Sequence, residues 1–175
     1  MFSFEMIGIL IAVGTYILNA RKERKLKLSE MYNTLEFASI DLFRFEIEHH
    51  EKFWVLYDTS QKMPEKGTKE FWVLKEYVCQ ILNLFEMAVE FVRGKLFRPD
   101  IFVTWAVWIW EIGSYENFQV IWEDTKQNYS TSLVMTIDKA ISISKMEISD
   151  RDKKKKFYEY IKEKFKCDVS DHIDM

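Results

Sequence analysis

Three hydrophobic patterns divide the chain. The first is an almost unbroken apolar run: Phe2 to Leu18 is seventeen residues with one formal charge, Glu5. As a helix it covers roughly 25 Å, near the short limit for a bilayer core, and Met1, Asn19 and the stems of Arg21 and Lys22 extend it to a feasible span. The second pattern is amphipathic. Leu35, Ala38, Leu42, Phe45, His49 and Phe53 recur every three or four residues, and Phe43, Ile47 and Trp54 follow on a neighbouring line. This spacing predicts a helix over 28–56 with a wide buried face. Residues 20–31 contain neither Gly nor Pro, so that helix can continue from the apolar run. Phe71, Leu74, Val78, Ile81, Leu82, Phe85, Val89 and Val92 predict a second amphipathic helix. It begins at Thr68 after the loop "DTSQKMPEKGT" and ends near Arg93, with Gly94 as its C-cap. The third pattern is apolar on nearly all sides. "IFVTWAVWIWEIG" follows "RPD" and holds thirteen residues, too few for a bilayer, so it reads as a buried core helix with Pro99 in its first turn. Further helical stretches are expected over 115–128, 133–144 and 150–166, with a frayed tail at 167–175. No alternating strand series or repeat interrupts them. The expected fold is all-α: a transmembrane helix (1–20), a basic juxtamembrane linker (21–30), a cytosolic helical bundle (31–166) and the tail.

The apolar run is not uniform. Glu5, Gly8, Ala12, Thr15 and Asn19 share one arc roughly 80° wide at 100° per residue, and Gly14 lies opposite. Gly8 and Ala12 form a small-xxx-small pair, which permits close helix approach. Thr15 and Asn19 offer hydrogen bonds across an interface, and Glu5 is costly against lipid. The stripe predicts self-association, with helix packing or a narrow pore as its two forms.

Charge sharpens the topology. Residues 1–27 carry five Lys/Arg against two Glu, residues 28–150 carry twelve against twenty acidic residues, and "RDKKKK" (151–156) carries five against one. An acidic body with two short basic clusters excludes a general duplex-DNA binder. Arg21, Lys22, Arg24, Lys25 and Lys27 follow the apolar run directly, so the positive-inside rule places the body in the cytoplasm and the N-terminus outside an inner membrane. A secretory signal would carry its charges before the run. In a monomer these five cations bind lipid headgroups; in an oligomer they form a ring able to hold an anionic ligand. Lys153–Lys156 read as a solvated helix start.

Catalytic chemistry is sparse. Glu46 and His49 have the spacing of one half of a carboxylate-bridged di-metal bundle, but no second copy exists, and no metal or cofactor is expected. Asn83 and Glu86 interrupt an apolar helix as a hydrogen-bonded network or a ligand contact. Nucleophile triads, phosphate-binding loops and dinucleotide fingerprints are missing, so no enzyme is expected. Cys79 and Cys167 are far apart and not in metal spacing, which fits a reducing compartment.

Residues 81–124, "ILNLFEMAVEFVRGKLFRPDIFVTWAVWIWEIGSYENFQVIWED", resemble a bacterial family of small, membrane-anchored helical proteins classed only as a domain of unknown function. The resemblance is carried by Ile81, Leu82, Asn83, Phe85 and Glu86 on one helix, Gly94 in a turn, and Trp108 or Trp110 with Glu111 on a Trp-rich helix. "YNTLEF" (32–37) after the basic stretch is similar too. The resemblance covers about half of the cytosolic body. It implies kinship with components of phage-defence operons, including membrane effectors and ion channels of abortive infection that pair with a nucleotide-synthesising sensor enzyme. The implied partners are membrane lipid, other copies of the chain, a nucleotide or oligonucleotide signal and an operon-encoded sensor. A membrane-tethered adaptor that recruits a cytosolic partner without conducting is the alternative.

Overall fold

A computed structural model describes residues 4–169, with side chains described from residue 13 onward. The regular elements of the described residues are all helices, with no strand among them. The helices are α1 (Phe4–Glu48), α2 (His50–Phe53), α3 (Lys69–Arg93), α4 (Pro99–Ser114), α5 (Glu116–Thr125), α6 (Thr131–Ser144) and α7 (Asp150–Phe165). Short 3-10 turns follow α2 (Trp54–Leu56) and α5 (Lys126–Asn128). The chain divides into two compact units, Met1–Phe37 and Ala38–Met175.

The expected juxtamembrane linker is part of α1, because nothing over 20–31 breaks a helix. Among the described residues no helix is long and apolar enough to cross a membrane. Most of the apolar run assigned to the span, up to residue 12, lies outside the residues whose side chains are described.

The second unit is organised around α4, which packs against α3, α5, α6 and α7. Phe102, Val103, Trp105, Ala106, Ile109, Trp110, Ile112 and Gly113 of this helix are all buried, as its all-round apolar character predicts. At Gly113 α4 packs tightly on α6: a Cβ built there would lie 3.2 Å from the Ala140 Cβ. Every one of the eight apolar positions predicted for α3 is buried. Thr68 caps this helix by accepting from the Phe71 N–H at 3.3 Å, and Gly94 closes it. The core helices each contribute large side chains, among them Trp122, Phe118, Phe157 and Phe85, each fully buried. Burying a side chain of this kind stabilises a fold by roughly 1.5–3 kcal/mol.

Several local readings change. The buried face predicted for 28–56 is narrower than its spacing suggests. Leu35, Leu42 and Phe53 are buried, but Phe43, Ile47 and Trp54 on the second line are 42%, 72% and 53% exposed. The long helix also ends at Glu48: the His49 N–H is shared between the carbonyls of Phe45 and Glu46, both at 3.2 Å, and the chain continues through α2 and a 3-10 turn. The interruption near Gly113–Ser114 is a true helix end, with Tyr115 extended (φ −79°, ψ 125°). The buried Gln119 side chain satisfies the freed Gly113 carbonyl at 3.0 Å, and Asn117 donates to the Val55 carbonyl at 2.6 Å. At the other end, Lys166 takes the left-handed conformation (φ 57°) that closes α7. The tail begins packed rather than frayed, because Cys167 and Val169 are apolar and turn inward, both buried.

Candidate functional site

In the first unit the five predicted cations occupy one stretch of α1. Arg21, Lys22, Arg24, Lys25 and Lys27 are all exposed. Arg21, Lys22, Arg24 and Lys25 border a shallow depression with Leu18 and Leu28, whose walls are mostly apolar side-chain stems. Thr15 and Asn19 are exposed on the same helix. Glu5, Gly8 and Ala12 fall outside the residues whose side chains are described, so of the stripe only Thr15 and Asn19 are described. Gly14 has open space around it: a Cβ there would meet nothing within 4 Å.

In the second unit the polar groups inside the bundle resolve into structural pairs. Tyr77, buried on α3, donates to the Glu46 carboxylate at 2.5 Å, and its oxygen lies 3.1 Å from the Tyr57 hydroxyl. Burial, then the bonds to Glu46 and Tyr57, push the Tyr77 phenol well above the usual tyrosine range, so it stays a donor. Phe53 stacks on the Tyr77 ring at 4.1 Å, and the His49 ring stands edge-on to Phe45 and Phe53. Glu46 and His49 therefore serve a hydrogen bond and an aromatic cluster. Among the described residues no three His, Cys, Asp or Glu side chains come together as metal ligands.

Glu86 accepts from the Ser130 N–H at 2.6 Å, securing the start of α6, while Asn83 is exposed on α3. The two residues the sequence paired thus part company. The fully buried Trp122 indole donates to Asp138 at 2.8 Å. Lys164 is half-buried and donates to the Ser132 carbonyl, the Thr136 hydroxyl and the Tyr160 hydroxyl at 2.8–3.1 Å. Its ammonium also lies 5.3 Å from the Tyr160 and Phe165 ring centres. Burial, and to a lesser degree the charge of Arg93, push the Lys164 pKa down to about 8. The Cys167 thiol is raised to about 11 by burial, which makes it a poor nucleophile at neutral pH.

Periodicity alone gives no hint of a cleft of roughly 550 Å³ where the ends of α4 and α6 meet the start of α7. Trp110, Ser114, Ser144, Asp150, Arg151, Lys153 and Lys154 line it. The only signal in the sequence is the basic run at 151–156; its juxtaposition with Trp110 and the two serines comes from packing.

Compared with family models, curated proteins and solved structures, the chain matches none.

Proposed function

We propose that this chain is a single-pass effector in the bacterial inner membrane, acting in antiphage defence. Its copies associate through the first helix, the helical body faces the cytoplasm, and a cytosolic signal opens a pore. The observation that carries this reading is the direct succession, on one unbroken helix, of an apolar run with a single formal charge and five exposed cations. That order orients a span, and the face holding Glu5, Gly8, Ala12, Thr15 and Asn19 is poorly suited to lipid. Copies packed on that face remove the mismatch and gather Arg21, Lys22, Arg24, Lys25 and Lys27 around one mouth, where they attract anions. The role in defence, and a nucleotide or sensor enzyme as the signal, rest on the resemblance of residues 81–124.

The test is flux. The full-length protein reconstituted into phosphatidylethanolamine–phosphatidylglycerol liposomes, with and without the product of a neighbouring gene, should release potassium in the signal-bound state. Glu5→Leu and Gly8→Leu should alter assembly in detergent. Stable insertion with no flux under any condition would overturn the pore. The adaptor reading would then stand, and the exposed Ile40 and Ile47 on α1 and Trp72 on α3 favour it as surface that a partner would cover. Failure to co-float with liposomes would overturn both.

A further inference from the structure

The cleft between α4, α6 and α7 has the chemistry of an anion-binding site, and we infer that it takes the phosphate of a small phosphorylated molecule. Its volume, roughly 550 Å³, falls within the range of small-ligand pockets, about 300–1,000 Å³. Three cations, Arg151, Lys153 and Lys154, line it against one carboxylate, Asp150. That carboxylate is already engaged, 3.3 Å from the Lys153 ammonium, with its own side chain 98% exposed. Lys153 is only 19% exposed, so this cation is held in the wall rather than spread into solvent. Lys154 lies 5.9 Å from the Tyr158 ring centre, an aromatic support that orients a cation without neutralising it. The cleft therefore keeps a positive excess at short range.

Its other walls define what else the ligand carries. Ser114 donates to the Glu111 carbonyl at 2.6 Å and Ser144 to the Ile141 carbonyl at 2.8 Å. Their hydroxyl hydrogens are occupied, and their oxygens remain as acceptors, so they suit a ligand with hydroxyl or amine donors beside its phosphate. Trp110 adds an apolar wall. A solvated helix start, the simplest reading of the basic run, leaves cations radiating evenly. Here Arg151, Lys153 and Lys154 border one concavity, with Lys153 and Lys154 half-buried and Arg151 exposed at its edge, whereas the exposed Lys155 and Lys156 do not line it. The inference does not depend on whether the first helix enters a bilayer.

The test uses the full-length protein in neutral detergent, titrated with sodium pyrophosphate by calorimetry. The Trp110 indole N–H resonance is followed in parallel. Saturable binding that shifts Trp110 is expected. Arg151→Gln and Lys154→Gln should each weaken it about five- to tenfold, the loss of one charge-assisted contact. Lys155→Gln with Lys156→Gln removes the same charge as the first two together and should change affinity less than about twofold if contact rather than general field is responsible. A phosphatidylglycerol vesicle arm separates the two sources of phosphate. Vesicle binding with the same variant pattern, and none of pyrophosphate, supports the site and assigns it to a lipid headgroup. No saturable binding of either probe, or equal loss in both variant pairs, overturns the inference.

Discussion

Removing the Tyr77 hydroxyl should loosen the junction between the end of α1 and α3. Tyr77 is 1% exposed, and its oxygen is placed between the Glu46 carboxylate at 2.5 Å and the Tyr57 hydroxyl at 3.1 Å. A hydrogen bond to a charged group contributes about 1.5–3 kcal/mol. Glu46 is half-buried, so water replaces part of the lost bond, and Tyr77→Phe should cost about 1.5–2 kcal/mol. The ring survives the substitution, and its stacking on Phe53 at 4.1 Å with it, so the loss isolates the hydroxyl. At roughly 3–4 °C per kcal/mol for a unit of this size, the midpoint of thermal unfolding should fall by about 6 °C. Urea unfolding followed by far-ultraviolet circular dichroism gives the free energy. A cycle with Glu46→Gln should show a coupling of at least about 1 kcal/mol, since the two groups share one bond. A Tyr77→Phe loss below about 0.5 kcal/mol, or additivity within about 0.3 kcal/mol in the cycle, would refute the idea that this bond ties α1 to the bundle.

Two further outcomes test the packing and electrostatics. Gly113→Val should destabilise by about 2 kcal/mol, because even a Cβ would sit 3.2 Å from the Ala140 Cβ and the added methyls must force α4 and α6 apart. Gly113→Ala should be nearly neutral, its helix-propensity gain of about 1 kcal/mol offsetting the contact, and urea midpoints measure both. Lys164 has a folded pKa of about 8, below its unfolded value, so the unfolded chain binds more protons between these values. Its contribution to stability should therefore rise as pH increases from about 8 toward 10, by about 1 kcal/mol once solvent screening of a half-exposed group is allowed for. Because buried Cys167, raised to about 11, works in the opposite sense above pH 9, the quantity to measure is the difference between wild type and Lys164→Met across that range. A flat difference would show that Lys164 ionises alike in both states.

Much of the helix order was legible because the breakers are few and well placed. Thr68, Gly94 and Pro99 mark α3 and α4 through cap and φ preferences that act within a few residues. The all-round apolar "IFVTWAVWIWEIG" identified the central helix, since no surface helix tolerates that composition. Spacing failed where the question was which of two apolar lines is covered. Both lines over residues 35–54 have helical period, and only neighbouring elements decide that Leu42 and Phe53 are buried while Phe45 on the same line, and Ile47 on the other, are exposed. It also failed for Asn83 and Glu86: sequence placed both in an apolar helix, but α6 supplies a partner, the Ser130 N–H, to Glu86 alone.

The sequence by itself determined the helical class, the limits of α3 and α4, and the order of an apolar run followed by a basic one. Each of these depends on residues close together in the chain, where backbone preference, capping and charge act locally. Tertiary structure alone decided that Glu46 and His49 serve Tyr77 and an aromatic cluster. It alone decided that Lys164 is half-buried among neutral oxygens, and that part of "RDKKKK" faces Trp110, Ser114 and Ser144 across a cleft. The Glu46–Tyr77 bond, the bonds from Lys164 to α6 and the walls of the cleft join residues tens of positions apart. The cleft and the seat of Lys164 follow from how α6 and α7 pack with α4, and the Glu46–Tyr77 bond from how the end of α1 meets α3; no local pattern encodes these packings.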